Sequence, residues 1–358
     1  MAKPTAPDKV LFPLDATAQA IYRLHEQRGQ DEQPRHYLGW SAIGGACERA
    51  LWYDFHWCGR PQFDGRMRRL FDTGHREEAR VLDELRAIGC QVWSIDPATG
   101  QQYGCQAIGG HLRGHIDAVV LGLPEAPKTP HLVDVKTVRA KLFDKLLAAG
   151  TMEQLYPKYW AQAHGYMGEL GLTRALFIFV CKDDDRLWCQ RFAFDAAVHE
   201  RYLERARRII TADRPPERIG GRDWWECKFC PHLERCHGTD APAVNCRTCT
   251  HSTPLLEGGW SCARNAGAPI PEHVQPVGCT GHRFNPYLLH WAEWVGADEQ
   301  ANTVTYRHAG GEFTNGARPQ GYSSAEIAAC QDKRALGALL ADPYVQTLRE
   351  QFQAEVVG

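Results

Sequence analysis

The stretch His131-Leu132-Val133-Asp134-Val135-Lys136-Thr137-Val138 constrains this 358-residue chain more than any other. Its β-branched and apolar residues, with polar ones interleaved, predict a strand. Side chains alternate faces along a strand, so Asp134 and Lys136 point one way and Val133 and Val135 the other. Gly114-His115-Ile116-Asp117, just upstream, predicts a second short strand closed by Asp117. Two carboxylates and one ammonium then converge at the edge of a sheet. Such a group can hold a divalent metal and orient a water. An isolated Asp-x-Lys has a plainer explanation, the solvated face of an edge strand. The rest of the chain decides between them.

Length alone suggests two or three domains. Hydrophobic content of 44%, with 11 Trp and 13 Phe, is ample for a sizeable core. The net charge of −2 gives no global basic field, so a nucleic-acid surface would have to be a local patch. No apolar run approaches the roughly 18–20 residues that span a bilayer. Met1-Ala2-Lys3-Pro4 lacks the apolar core of a secretory signal. The expectation is a soluble, cytoplasmic protein with no membrane partner. Fourteen cysteines in such a chain argue against a disulfide framework. Cys47, Cys58, Cys90, Cys105, Cys181 and Cys189 are scattered and Cys330 stands alone, but seven crowd into residues 227–279. That crowding reads as metal binding.

The spacing predicts a helix over 15–29 with Asp15 as N-cap, a polar loop over 29–35, and a short helix with Cys47 at its start. A longer helix is expected over 70–88. There Phe71, His75, Glu78, Leu82 and Leu85 share one stripe, which puts two ionisable groups where apolar ones are due. After the two strands, a helix with Pro157 in its first turn ends near Leu170, with a stripe of Tyr159, Gln162, Tyr166 and Leu170. Strands over 175–181 and 187–194 and a helix over 196–212 follow. This order indicates an α/β domain with a central mixed sheet flanked by helices.

Together these pieces resemble the PD-(D/E)XK nuclease superfamily, and within it the RecB-like branch with the AddB nuclease domain and the CRISPR-adaptation exonucleases. The family pattern is matched by His75 and Glu78, by Asp117, by Asp134-Val135-Lys136, and by Gln162 and Tyr166, in that order. The iron–sulfur members add one cysteine before the core and three after it in a Cys-x2-Cys-x5-Cys run. Cys47 and then Cys227, Cys230 and Cys236 have that arrangement. The resemblance covers roughly residues 40–240. It implies a restriction-endonuclease-like core and a 4Fe–4S cluster on those four cysteines, which would clamp the ends of the nuclease domain together. Four thiolates hold a tetrahedral zinc equally well by spacing alone.

The resemblance also implies roles. Asp117 and Asp134 would bind Mg²⁺ or Mn²⁺ with His75 or Glu78, His75 being favoured, and the carbonyl of Val135 would complete the shell. Lys136 would orient the water or stabilise the phosphate. Gln162 and Tyr166 would position the substrate strand. Arg139 and Lys141 would add basic density nearby, or be ordinary solvated charges. The expected activity is metal-dependent hydrolysis of DNA phosphodiesters by an exonuclease acting on ends or single strands. A structure-specific or restriction-type endonuclease is the alternative within that chemistry. A non-catalytic DNA-binding or scaffold protein is the alternative outside it. No Gly-x4-Gly-Lys-Ser/Thr phosphate loop occurs, so a helicase, recombinase or other protein partner would be a separate chain.

Beyond a linker at 239–244, Cys246-Arg247-Thr248-Cys249, Cys262 and Cys279 predict a compact zinc-type module over 241–287, with His251, His273 and His282 as replacement ligands. Arg247, Arg264, His282 and Arg283, near Trp260 and Phe284, are expected either to contact phosphate and stack a base or to be solvated charges around a tiny aromatic core. Residues 1–40 form an N-terminal helical segment and 41–240 the nuclease domain. The tail over 288–358 has a Trp-containing segment, a Gly-rich stretch and a terminal helix from Ser324, with no activity assigned.

Overall fold

The computed structural model describes residues 16–30, 35–59 and 62–356. Asp15, Met1-Ala2-Lys3-Pro4 and most of the loop expected over 29–35 lie outside them. Helix α1 (Ala16–Gln30) is followed by β1 (Leu38–Gly39) and α2 (Trp40–Ile43), and a Gly44-Gly45 turn leads to α3 (Glu48–Phe55). Cys47 is the N-cap of α3, its Sγ accepting from Ala50 N–H at 3.4 Å. Helix α4 (Gly65–Ala87) begins five residues before the expected start. Asp64 explains this, because its carboxylate accepts from Met67 N–H at 2.7 Å and caps the first turn there.

Strands β2 (Gln91–Trp93), β3 (Gly104–Ala107), β4 (Leu112–His115), β5 (Ala118–Leu121) and β6 (His131–Val138) come next. Then follow α5 (Ala140–Ala149), α6 (Pro157–Leu170), β7 (Arg174–Cys181), β8 (Leu187–Ala193) and α7 (Ala196–Thr211). Five strands form one mixed sheet in the order β2-β5-β6-β7-β8, with β6 and β7 parallel and the other neighbours antiparallel. Strand β6 is therefore central, and the edge-strand explanation for Asp134 and Lys136 fails. Two local readings need correction. The Gly114 strand is β4, which pairs with β1 and β3 in a separate small sheet, and the antiparallel partner of β6 is β5. Helix α5 is an element the periodicity did not reveal.

The two faces of the sheet bury different sets. Val133 and Val135 pack with Val81, Leu82 and Leu85 of α4. Leu132, Phe177 and Phe179 pack with Ala161, Ala163 and Met167 of α6 and with Phe143 and Leu146 of α5. Each large aliphatic buried this way contributes roughly 1.5–3 kcal/mol. A one-residue slip of β6 would exchange the faces and drive Asp134 and Lys136 into the apolar α4 side, so the register is strongly pinned. The stripe on α4 is only half buried. Leu82 and Leu85 are covered, whereas Phe71 is 41% exposed and His75 is exposed.

Short helices α8 (Trp225–Lys228) and α9 (Leu233–His237) precede a small sheet of β9 (Ser252–Pro254), β10 (Trp260–Cys262) and β11 (Ala268–Pro269). A meander of β12 (Glu293–Asp298), β13 (Thr303–His308) and β14 (Gly311–Asn315) follows. The expected single terminal helix is three helices, α10 (Ser324–Ala329), α11 (Ala335–Ala341) and α12 (Pro343–Phe352). Pro343 and the intervening caps break the run. Val304, Tyr306, Phe313, Ile327 and Leu336 make a separate core for this part. Among the described residues no helix is long and apolar enough to cross a membrane.

Candidate active site and cysteine centres

The site is created where β5 parts from β6. Their pairing runs from Val120↔His131 to Ala118↔Val133 and stops. Beyond it the chain on the β5 side is Ile116-Asp117, and the Asp117 carboxylate takes over the role of the ladder by accepting Val135 N–H at 2.8 Å. A strand residue directs its N–H and C=O to the same side. The Val135 carbonyl therefore faces the same gap as Asp117.

On the α6 face of β6, Asp134 is 1% exposed. Its Oδ2 accepts from Gln162 Nε2 at 3.1 Å, and the same amide donates to the Tyr166 hydroxyl at 3.3 Å. Its Oδ1 is buried against the Lys136 ammonium in a hydrogen-bonded ion pair. Lys136 Nζ also stands 5.0 Å from the centre of the Tyr159 ring. Burial raises the Asp134 carboxyl well above the usual carboxylate range; Lys136 opposes this, and Asp117 and Glu78 add to it. Burial disfavours the Lys136 ammonium, yet Asp134 and Asp117 outweigh it and raise the group.

Gly114 of β4 makes room for this arrangement. A Cβ there would stand 2.2 Å from Tyr166 Cε1, so only glycine lets the tyrosine ring lie against the strand. From α4, Glu78 completes the acidic wall. Its carboxyl is raised by burial and by Asp117, and lowered by His75, Lys136 and a 3.1 Å hydrogen bond from Gln102 Nε2. Glu78 thus interacts with both Asp117 and Asp134. His75 is exposed one turn away, and with Glu78, Arg86, Ile95 and Gln102 it lines an open depression beside the site. Arg139 and Lys141 are exposed at the end of β6 and the start of α5.

Cys47, Cys227, Cys230 and Cys236 line a single cavity together with Arg49, Tyr53 and His232. Burial raises the Cys227 and Cys230 thiols, with Cys47 and Cys236 adding to the shift. Cys246, Cys249, Cys262 and Cys279 form a second mutually interacting set, in which burial pushes Cys246 up to about 11. Among the described residues no group of three or more His, Cys, Asp or Glu side chains is arranged to hold a metal ion.

No family model matches the chain, and no curated protein matches it. Among solved structures it is similar to the protein SSO0001, at a TM-score of 0.37 and 13% identity over 60% of this chain and 92% of that one. It is also similar to the alkaline exonuclease LHK-Exo of Laribacter hongkongensis, at 0.31 and 15% identity over 53% and 90%. The same exonuclease in complex with dAMP gives 0.35 and 13% over 53% and 90%. Likenesses of this size decide neither fold nor activity. The arrangement of the side chains has to carry the function.

The structure gathers Asp134, Lys136, Gln162 and Tyr166 on the α6 side of the sheet with Asp117 at the adjoining gap, and adds three contacting residues that the sequence did not single out. Tyr159 was legible only as one more aromatic in the α6 stripe. Gly114 was read as part of a strand, and its contact with Tyr166 comes from tertiary packing. Gln102 sits between β2 and β3 with no pattern to mark it. The surface expected around Arg247, His282 and Arg283 is also corrected. These three are 4%, 2% and 3% exposed, and Trp260 and Phe284 are buried. Trp260 packs on Phe55 in the main core and Phe284 joins the C-terminal one, so neither is free to stack a base. Arg264 alone of that group is exposed.

Proposed function

We propose that the chain is a divalent-metal-dependent deoxyribonuclease acting as an exonuclease on DNA ends or single strands. The observation that carries this reading is Asp134. A carboxylate 1% exposed in the middle of a sheet, gripping a lysine and a glutamine and facing a second carboxylate, has little structural use. Replacing such a buried group by an apolar one is often neutral or stabilising, so its presence argues for chemistry.

The donor set suits Mg²⁺ or Mn²⁺. Asp117, Asp134 Oδ1 and the Val135 carbonyl supply oxygen ligands, and Glu78 or His75 would complete them. Glu78 is the better placed, since it senses both aspartates. When bound, such an ion supplies an acidified water and offsets charge on the phosphate. The chain does the rest. Gln162 holds Asp134 in one rotamer, and Asp117 is fixed by the Val135 N–H. Lys136, held by Asp134 and the Tyr159 ring, presents its ammonium to the non-bridging phosphate oxygens and stabilises their growing charge.

The gathering of Cys47, Cys227, Cys230 and Cys236 around one cavity supports a four-cysteine metal centre there, taken as a 4Fe–4S cluster, with zinc as the alternative. It would join the N-cap of α3 to the α8–α9 segment and close the domain. Digestion of linear and covalently closed circular DNA with Mg²⁺ or Mn²⁺ tests the proposal. Shortening of linear DNA from its ends is expected. Equal cutting of closed circles would replace the exonuclease by an endonuclease, and failure to cut either would overturn the enzyme reading.

A further inference from the structure

Phe63 and Phe71 are each 41% exposed, and their rings meet edge to face at 5.0 Å. Among the described residues neither ring belongs to any of the three hydrophobic cores. A hydrophobic staple would pair Phe63, which precedes the Asp64 cap, with residue 68. The Phe63 ring instead meets Phe71, and the pair stays partly in solvent. Phe71 opens the stripe that carries His75 and Glu78 at i+4 and i+7, and those two line the depression beside the site. An exposed aromatic thus shares one helix face with the acidic wall, about 10 Å along the axis from Glu78.

Gly74 lies on that same face, between Phe71 and Glu78. A glycine inside a helix costs stability relative to alanine. No described atom stands within 4 Å of a Cβ placed there, so packing does not require it. The missing side chain leaves a low, open stretch of helix surface between the aromatic pair and Glu78. Charge points the same way. Residues 65–76 hold Arg66, Arg68, Arg69 and Arg76 against Asp72 alone, in a chain of net charge −2. A helix N-terminus favours acidic side chains, so arginines gathered in its first half oppose the dipole. Arg76 pairs with Asp72 at 2.7 Å and Arg68 donates to the Gly29 carbonyl at 3.3 Å. Arg66 and Arg69 are exposed, with no carboxylate against them among the described residues. A single strand of nucleic acid offers open base faces and phosphates together, whereas a duplex keeps its base faces stacked. We propose that the first half of α4 is a platform for single-stranded DNA. Phe71, braced by Phe63, stacks one base. Gly74 lets the strand pass close to the helix toward Glu78, and Arg66 and Arg69 supply the positive field that draws its phosphates there. This rests on the nuclease reading and specifies its substrate as a single strand.

Fluorescence anisotropy of the full chain with labelled single-stranded and blunt duplex DNA, divalent metal omitted, tests this. Phe71→Ala should melt like wild type and bind the single strand about 5- to 150-fold more weakly, the range for one lost stacked base. Phe71→Trp should stay near wild type, as should Tyr344→Ala at an exposed aromatic of α12. Gly74→Leu should fold as well as wild type and bind the single strand at least about tenfold more weakly. Duplex affinity should change little in all four. In wild type, an abasic site at one position near the strand's end should weaken binding, and Phe71→Ala should abolish that sensitivity. Unchanged single-strand affinity in Phe71→Ala or Gly74→Leu, an abasic effect that persists in Phe71→Ala, or an equal loss on duplex would each overturn the proposal. Loss of fold in Phe71→Ala would make the pair a packing contact and overturn it too. Should Gly74→Leu fail to fold, the abasic scan on wild type decides, and the absence of a position-specific loss overturns the proposal. Wild type that binds through Phe71 yet cuts nothing with Mg²⁺ or Mn²⁺ would keep the platform and overturn the nuclease reading.

Discussion

Asp117 accepts the Val135 N–H at 2.8 Å at the point where β5 has left β6. One side chain thereby does two jobs: it satisfies an amide that the ladder abandons, and it brings its own charge beside Asp134. Asp117→Asn separates them, since the amide oxygen can still accept the hydrogen bond while the charge is gone. The expected outcome is a folded protein with thermal stability near wild type. Its DNA hydrolysis should fall by more than about 100-fold, the upper end of what loss of an outer-shell partner costs.

Gln162 stands between Asp134 and Tyr166 on the buried face of α6. In Gln162→Leu, Asp134 Oδ2 loses its hydrogen bond, so a destabilisation of about 1–3 kcal/mol is expected in urea melts. The rate should drop about 10–100-fold as Asp134 becomes free to turn. Wild-type rate with wild-type stability would remove Gln162 from the site.

Tyr159 holds Lys136 through its ring, and the ring is what matters. Tyr159→Phe should hydrolyse DNA at close to the wild-type rate. Tyr159→Leu should lose about 2- to 30-fold, equivalent to an interaction of about 0.5–2 kcal/mol. The loss belongs in kcat, with DNA affinity unchanged. Equal defects in the two variants would point to the hydroxyl instead.

Most of the framework was legible because it obeys local rules. The alternation in 131–138 gave β6 its faces, Pro157 gave α6 its start, and Cys47 fell where a helix begins. What escaped depends on partners distant in sequence. The place of β6 in the middle of the sheet follows from the pairing of β7 with it, and no residue of β6 itself encodes that. Arg247 and Arg283 read as surface charges, since burying a cation runs against the ordinary preference. Their carbonyl and aromatic partners lie up to 211 residues away. The β12–β14 meander was passed over, because the two-residue Ala309-Gly310 turn across which His308 pairs with Gly311 lacks the Asn-Gly or Asp-Gly signature of a tight hairpin.

Gly114→Ala tests the fit of Tyr166. With 2.2 Å from the new Cβ to the ring, the tyrosine must move, and a cost of about 1–3 kcal/mol is expected. Adding Tyr166→Leu should recover part of that stability, so the two changes will not be additive. Activity should remain low in the double variant. Additive losses in thermal melts would mean that the ring is not what Gly114 accommodates.

The cavity of four thiols gives an expectation for composition. Protein purified anaerobically should be brown and contain about four iron and four sulfide per chain, and Cys236→Ser should be colourless. Zinc in the place of iron at those cysteines would refute the cluster.

The most direct test of the account is digestion of end-labelled single- and double-stranded DNA with Mg²⁺ or Mn²⁺, comparing wild type, Asp117→Asn and Lys136→Met, with DNA binding measured alongside. The account requires progressive shortening by wild type only in the presence of metal, lost in both variants while binding persists. Cluster-loaded wild type that binds DNA but cuts nothing with either metal, or variants that cut as fast as wild type, would contradict it.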